Sequence, residues 1–327
     1  MMHCIVSEHS DPYFNLASEE YLLKRSGEDY FLLYRNTPSV VIGKHQNAIA
    51  EYNHAFVREK NIKVARRISG GGTVFHDPGN LNFTFIASGE EGKLVDYEKY
   101  TLPVIRAMNR LGLDITLGDR HELLLAGKKI SGTASHVLKN RVLHHGTLLF
   151  SSDLDTLENA LRVQKGHYED RAVGSIRSEI TNIRDHLVKV MEISDFQDHL
   201  LGHVLETIPG AEIYRYCRED LTAIHKLRDT RFSTWEWNFG YSPEYRFSKK
   251  LRAGTGEMVL RLHVKKGVIQ KVCIEGDLQG TEDIGKLEAA LTGSLHDPET
   301  IRRKLSGFPV GDFIPGMERE QLLEGLF

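Results

Sequence analysis

The sequence predicts a mixed α/β (α+β) protein in two domains: a large one built on a mixed β-sheet and a small α/β one at the C-terminus. Three observations carry this. Strand-like and helix-like hydrophobic periods are mixed along the first two-thirds of the chain, with glycine-containing turns between them. At 327 residues the chain is longer than most single cores and suits two domains. Near residue 240 the turn-rich Phe239-Gly240-Tyr241-Ser242-Pro243 precedes a change of character. The expected bounds are 1–242 and 243–327.

The elements follow from local chemistry. Asp11-Pro12 offers an N-cap residue and a proline at the first helical position, Leu16 and Ala17 keep helical spacing, and Ser26-Gly27 ends the run. Strand-like runs cover 30–34 and 39–42, with Asn36-Thr37-Pro38 turning between them. Strict alternation puts Leu81, Phe83 and Phe85 on one face of a strand. Val104, Ile105, Met108 and Leu111 form a helical stripe with Gly112 at its C-terminal end. Strands are expected at 123–125 and 143–150. In the last stretch of about 80 residues, runs at 258–264 and 268–274 flank the hairpin signal Lys265-Lys266-Gly267, and helical segments follow near 283–291 and 298–305.

Composition narrows the function classes. Forty-two basic against 45 acidic residues give a formal charge of −3, which makes no case for a nucleic-acid partner. No stretch approaches the ~20 apolar residues of a membrane span, and the N-terminus has neither a secretory nor an organelle-targeting pattern. A cytoplasmic location is the expectation. Cys4, Cys217 and Cys273 are widely spaced and odd in number, so free thiols are expected, with no disulfide frame or zinc site.

Four segments could carry chemistry. Arg66-Arg67-Ile68-Ser69-Gly70-Gly71-Gly72-Thr73-Val74-Phe75-His76-Asp77 combines two fixed cations with a loop whose N–H groups can gather around an anion. It is neither a Walker loop nor a dinucleotide fingerprint. For an arbitrary glycine triplet, a simple turn with solvated arginines is the commoner outcome. Gly127-Lys128-Lys129-Ile130-Ser131-Gly132-Thr133-Ala134 sets a lysine among small residues, which suits a buried anion but alone more often marks a hairpin tip. His144 and His145 are strand neighbours that face opposite ways, which disfavours a shared metal. Gly174, Ser175, Arg177 and Thr181 lie in a hydroxyl-rich stretch of the kind that contacts phosphate or nucleoside.

Taken together and in this order, these segments resemble the lipoate–protein ligase family, whose catalytic domain is related to those of biotin ligases and octanoyltransferases. The matching pieces are VVIGKHQN, RRISGGGTVFHDPGNLNFTF, GKKISGTA, HHGTLLF, GSIRSEITNI, TWEWNFGYSPEYRF and the EGD ending at Asp277, so the resemblance covers nearly the whole chain. It implies a catalytic domain of the biotin/lipoate ligase type and a C-terminal accessory domain that rotates on a hinge near 241–243. It implies that ATP activates lipoate, with Mg²⁺ sharing the phosphate charge, and that lipoyl-AMP then acylates a lysine. Arg67, Ser69, Gly70, Gly71, Gly72, Thr73, Val74 and Phe75 would hold ATP and the adenylate. Lys129 would be the catalytic cation, with Ser131, Gly132 and His145 beside it. Gly174, Ser175, Arg177 and Thr181 would belong to the adenylate-binding loop.

The implied partners are lipoyl domains of 2-oxoacid dehydrogenase E2 subunits and the glycine cleavage H protein, and the implied state is a monomer. Two motifs depart from the family pattern: Arg120-His121-Glu122 stands for arginine–asparagine–aspartate, and Gly43-Lys44-His45 for glycine–arginine. The rival readings are a lipoyl or octanoyl transferase, which needs an activated cysteine or relies on pre-formed adenylate, and a silent lipoate-binding module.

Overall fold

In chain order the elements are β1 (Met2–Val6), α1 (Pro12–Lys24), β2 (Asp29–Tyr34), β3 (Ser39–Ile42), α2 (His54–Glu59), β4 (Lys63–Arg66), β5 (Val74–His76), β6 (Asn80–Ser88) and α3 (Tyr97–Asn109). Then come β7 (Ile115–Leu117), β8 (Leu123–Leu125), β9 (Lys128–Ser131), β10 (Thr133–Leu138), β11 (Arg141–Leu149), α4 (Leu154–Leu161), β12 (His167–Glu169), α5 (Ile193–Thr207), β13 (Ala211–Ile213) and α6 (Arg218–Leu227). The chain closes with β14 (Tyr245–Ala253), β15 (Gly256–Lys265), β16 (Val268–Gly276), α7 (Ile284–Leu291), α8 (Pro298–Leu305), α9 (Val310–Phe313) and α10 (Arg319–Gly325). The computed structural model describes residues 1–25, 27–89, 94–163, 166–254, 256–276, 278 and 280–327. Ser26 at the expected helix end and Asp277 of the EGD motif lie outside the described residues. Contacts divide the chain into two compact units: 1–44, 62–161 and 175–234 form the first, and 45–61, 162–174 and 235–327 form the second.

The first unit is organised by a six-stranded sheet in the order β10-β11-β6-β2-β1-β13. Pairing is antiparallel from β10 to β2 and parallel from β2 through β1 to β13, so the sheet is mixed, as the sequence predicts. Leu81, Phe83 and Phe85 point into one core with Phe31, Phe150, Val104, Met108, Phe196 and Leu200. Burying each phenylalanine contributes about 1.5–3 kcal/mol. These three side chains are core residues. The other face of β6 is not solvated, because Asn80, Asn82 and Thr84 are buried too. Each has a partner: the Asn80 amide donates to Asn82, the Asn82 amide to the Tyr34 carbonyl, and the Thr84 hydroxyl to Glu19 on α1.

Asp11 does stand at the N-cap of α1, but its side chain makes no cap bond and instead accepts from Lys63 Nζ at 2.8 Å. α3 begins earlier than the apolar stripe suggests, because Asp96 accepts from the Lys99 N–H at 2.9 Å and caps the helix.

The second unit is an antiparallel sheet, β12-β14-β15-β16, packed against helices. The β15–β16 turn has φ of +50° at Lys266 and +70° at Gly267, the backbone that a tight two-residue hairpin requires. α7 and α8 stand where expected, and α9 and α10 complete the core. The unit is assembled from three stretches of chain rather than from 243–327 alone. Ile49 is buried in its core, the Ala48 N–H donates to Ser242 Oγ at 3.1 Å, and β12 pairs with β14. No local pattern announces such distant pairings, so the sequence bounds place 45–61, 162–174 and 235–242 with the larger part of the chain. Among the described residues no helix is long and apolar enough to cross a membrane.

Three buried histidines set an expected response to acid. Burial pushes His76 and His144 down to about 3 and His296 down to about 4, from an ordinary 6.5. Nearby Arg67 and His145 add to the effect at His76. The unfolded chain therefore takes up protons below pH 6.5 that the folded chain refuses. Stability from these groups is complete above pH 6.5 and is lost as pH falls towards 4, at about 1.4 kcal/mol per pH unit for each group. Thermal unfolding followed by circular dichroism should show Tm dropping steeply from pH 6.5 to 4.5. A Tm flat across that interval contradicts the account.

Candidate active site

The triglycine segment joins β4 to β5, which lie on either side of β3 in a three-stranded sheet. Both ends of the loop are thus fixed to one strand. The loop is also held at its middle: the Lys44 N–H donates to the Ser69 carbonyl at 2.8 Å and the Arg67 N–H to the Ile42 carbonyl at 3.0 Å. Gly71 has φ +87°, a conformation glycine adopts without strain. A Cβ on Gly43 would stand 2.1 Å from the Gly71 carbonyl oxygen, so the two backbones meet with no room for a side chain.

The two arginines before the loop face inward. Arg67 is 5% exposed. Its Nε donates to Ser69 Oγ (3.0 Å), Nη1 to the Val41 carbonyl (3.1 Å), and Nη2 to the carbonyls of Gly70 (2.6 Å) and Gly72 (2.8 Å). Burial lowers its pKa to about 10, partly opposed by Glu19 and Tyr34, so it stays cationic at neutral pH. Arg66 is fully buried, and its Nη1 donates to the Gly43 and Lys44 carbonyls. In this conformation the guanidiniums frame the loop instead of presenting two forks to a ligand.

Ser69 continues inward. Its Oγ lies 2.6 Å from His145 Nε2, and His145 Nδ1 lies 3.0 and 3.1 Å from the two Glu19 oxygens. Tyr34 and Thr84 donate to the same carboxylate at 3.2 and 2.5 Å. His144, one residue earlier on β11, points the other way, to Ser135 Oγ at 2.9 Å and a stacked Tyr100 ring. Strand alternation thus separates the histidine pair as expected.

Lys129 follows the β8–β9 turn and is half-buried. A Cβ on Gly132 would be 3.4 Å from its Nζ, so the ammonium lies over that glycine. Burial lowers the Lys129 pKa; Arg120 and Arg67 lower it further, while Glu122 opposes them. Burial alone would raise Glu122, but N–H donors of its own residue and Arg120, with the Arg120 and Lys129 charges, hold it below the ordinary carboxylate value. The lengthened side chain in the Arg120-His121-Glu122 motif therefore still places an anion near the lysine. Ser131 is fully buried beside Lys129, and its hydroxyl has no partner among the described residues.

The 175–183 stretch docks on both parts. The Thr73 N–H donates to Ser175 Oγ at 2.9 Å. The Lys129 N–H donates to the Glu179 carbonyl (2.8 Å), and the Thr181 N–H to the Lys129 carbonyl (3.2 Å). Thr181 Oγ1 itself pairs with His186. Arg177 departs from the group: it is exposed, and its Nη2 donates to the Leu161 carbonyl at the end of α4. Gly174 is counted with the second unit, one residue before Ser175. Val74 and Phe75 are on β5, with Phe75 buried.

Two polar residues were not singled out by sequence. Glu19 is fully buried in α1, and His76 is 3% exposed with Nδ1 bonded to Asn36 and Nε2 unpartnered among the described residues. His76 stood inside the quoted motif. Glu19 gave no signal, because α1 is buried nearly all round. Among the described residues no group of three or more His, Cys, Asp or Glu is placed to hold a metal ion.

Fold and site define an α/β domain in which one stretch, 175–183, is bonded both to the end of a glycine loop and to a half-buried lysine. The family described as lipoyl protein ligase A/B catalytic domain matches residues 11–205, and the bacterial lipoate protein ligase C-terminus matches 242–326. Lipoate–protein ligase 1 of Staphylococcus aureus is 39% identical over 319 residues, 96% of each chain. Lipoate-protein ligase LplJ of Bacillus subtilis is 37% identical over 322 residues, 97% of each chain. The structure of P. falciparum LipL1 shares the fold at 21% identity, with a TM-score of 0.63 over 99% of this chain and 97% of that one. The chain belongs to the lipoate–protein ligase family and is an enzyme of that kind.

Because Gly43 meets the Gly71 carbonyl, Gly43→Ala should push the loop out of place at a cost of about 1–3 kcal/mol. Calorimetric titration with lipoate should show binding weakened at least about tenfold, the equivalent of 1.4 kcal/mol. Wild-type affinity in a folded Gly43→Ala protein contradicts this packing as a determinant of the site.

Proposed function

We propose that this ligase uses ATP to convert lipoate to lipoyl-AMP and then transfers the lipoyl group to a lysine of an acceptor domain. The observation that carries the proposal is the place of Lys129: a half-buried ammonium on β9, bonded through its backbone to the 175–183 stretch that also docks on the triglycine loop. Lipoate and ATP are both anionic and repel. A cation held between them offsets that repulsion and stabilises charge as the carboxylate oxygen attacks the α-phosphorus and pyrophosphate leaves. The same ammonium can receive the oxyanion formed when the acceptor ε-amine attacks the mixed anhydride and AMP departs.

With the Gly70 and Gly72 carbonyls turned to Arg67, the loop offers its N–H groups to an anion. The ATP/lipoyl-AMP site we propose comprises Arg67, Ser69, Gly70–Phe75, Lys129, Ser131, Gly132, His145, Gly174, Ser175, Arg177 and Thr181. Arg67 acts through the loop, and Arg177 joins only if it leaves the Leu161 carbonyl. A lipoate-protein ligase A structure sharing the fold is described as bound with ATP, which supports the nucleotide. Mg²⁺ would share the charge of the nucleotide phosphates.

Lipoyl domains of 2-oxoacid dehydrogenases and the glycine cleavage H protein are the acceptors we propose; an archaeal ligase of this fold is described with its E2 lipoyl domain. We propose a cytoplasmic monomer with an accessory domain over the C-terminal part.

The thiols speak against the cysteine-dependent transferase. Cys4 is buried in the core, where burial pushes it up to about 11. Cys217 and Cys273 are raised as well: at the first the Asp220 backbone N–H lowers the value but the Glu219 and Asp220 carboxylates and burial outweigh it, and at the second the Glu275 carboxylate raises it. None is a ready thiolate.

The test is lipoate-dependent pyrophosphate release. Lys129→Ala should lower the rate at least about a hundredfold. Transfer from pre-made lipoyl-AMP without any release would make the protein a transferase, and neither activity would leave a binding module. The lowered Lys129 pKa adds a pH signature. The cation is lost as pH rises through a value below 10.5, so activity should fall there. In Lys129→Arg the residual activity should persist to higher pH, since a guanidinium stays charged. An alkaline limb unchanged in that variant assigns it to another group.

A further inference from the structure

We infer that Glu19 is a positioning residue: through His145 it sets the direction of a hydrogen-bond chain that holds Ser69 and Arg67, and with them the triglycine loop. The activity part of this inference rests on the ligase reading above.

Glu19 is fully buried in the middle of α1, where a carboxylate is costly unless its oxygens are satisfied. They are: Tyr34, Thr84 and His145 surround it. An ionised carboxylate only accepts, so each neighbour must donate. That assigns the His145 proton to Nδ1 and leaves Nε2 as an acceptor in the neutral ring. Nε2 then receives the Ser69 hydroxyl proton across 2.6 Å. Arg67 Nε can only donate, and Ser69 Oγ receives it at 3.0 Å. Every bond in the chain runs one way, from Arg67 through Ser69 and His145 to Glu19, and each hydrogen has an acceptor. The buried anion and the buried guanidinium sit at opposite ends, and Glu19 is a favourable neighbour for the Arg67 charge.

An amide at position 19 would break the direction. Tyr34 and Thr84 would keep its oxygen at the Oε1 position, so its nitrogen would face the His145 Nδ1–H, and the imidazole would favour the other tautomer. Ser69 would then face two donors, Arg67 Nε–H and His145 Nε2–H, and its own hydrogen would need a new acceptor. Ser69 leads directly into Gly70–Gly72, so the N–H groups of the loop would shift. Glu19 touches no reacting atom in this scheme; it acts on the binding of the acid.

The test has two arms on the full chain. Long-range ¹H–¹⁵N spectra of protein labelled at histidine nitrogen, with His145 assigned by its loss in His145→Gln, should show a neutral ring protonated at Nδ1. Protonation at Nε2 in the wild type overturns the inference and does not depend on activity. In the second arm, Glu19→Gln should raise KM for lipoate about tenfold, the effect of one lost bond to a charged group. KM for ATP should change less than about twofold. Thr84→Val, which removes a different donor to the same carboxylate, should lower Tm but leave both KM values near wild type. If Glu19→Gln likewise lowers only Tm, Glu19 is merely structural and the inference fails. If Glu19→Gln does not fold, the tautomer decides alone. A wild type without lipoate-dependent release defeats the ligase reading and leaves the tautomer arm standing.

Discussion

A guanidinium taken out of water has to find an acceptor for each of its nitrogens, and the whole candidate site can be described from how Arg67 does so. Its acceptors are the carbonyls of Val41, Gly70 and Gly72 and the hydroxyl of Ser69. Carbonyls at both ends of the glycine run are drawn onto one planar fork, which fixes the curvature of the loop. The geometry requires glycine at two places: Gly71 takes a positive φ, and Gly43 has no space for a Cβ against the Gly71 carbonyl. A lysine could not reproduce this, because a single ammonium cannot address separated carbonyls in one plane.

Burial of that charge propagates outward. Glu19 offsets it from α1, with Ser69 and His145 in line between them, and this polar thread explains why one face of β6 and one face of α1 are polar and yet buried. Lys129 lies within the electrostatic reach of Arg67, and both cations are held below their ordinary pKa by desolvation. Binding an anion between them would relieve that strain, which is a reason for a site to tolerate two partly desolvated cations. The 175–183 stretch is tied to the loop through the Ser175 hydroxyl and to Lys129 through two backbone hydrogen bonds, which links loop, lysine and stretch.

Much of the architecture was legible because it is local. Ser39–Ile42 and Leu123–Leu125 are short β-branched or apolar runs bounded by turn residues, and they are strands. Lys266-Gly267 takes the φ values that a tight hairpin demands, and Gly112 follows α3 with a positive φ. The site segments were legible as a group through their order and composition. What stayed hidden depends on distant contacts. The pairing of β12 with β14 and the burial of Ile49 in the second core have no local signature. Glu19 carries no local signal, since no period marks a helix that is buried nearly all round. The motif suggests Arg67 as a cation that holds a ligand, whereas its donors turn to the loop itself, because sequence shows that a cation is present and not which way it faces.

The central claim is that Arg67 shapes the loop rather than gripping a phosphate, and Arg67→Lys tests it most directly. Hydrogen–deuterium exchange over 68–73 and calorimetric titration with lipoate in the absence of nucleotide should be measured on the same preparation. The account predicts that the folded variant loses protection in that loop and loses lipoate affinity even with no ATP present. Retained loop protection and retained lipoate affinity, with only ATP binding impaired, would contradict it and make Arg67 a phosphate ligand.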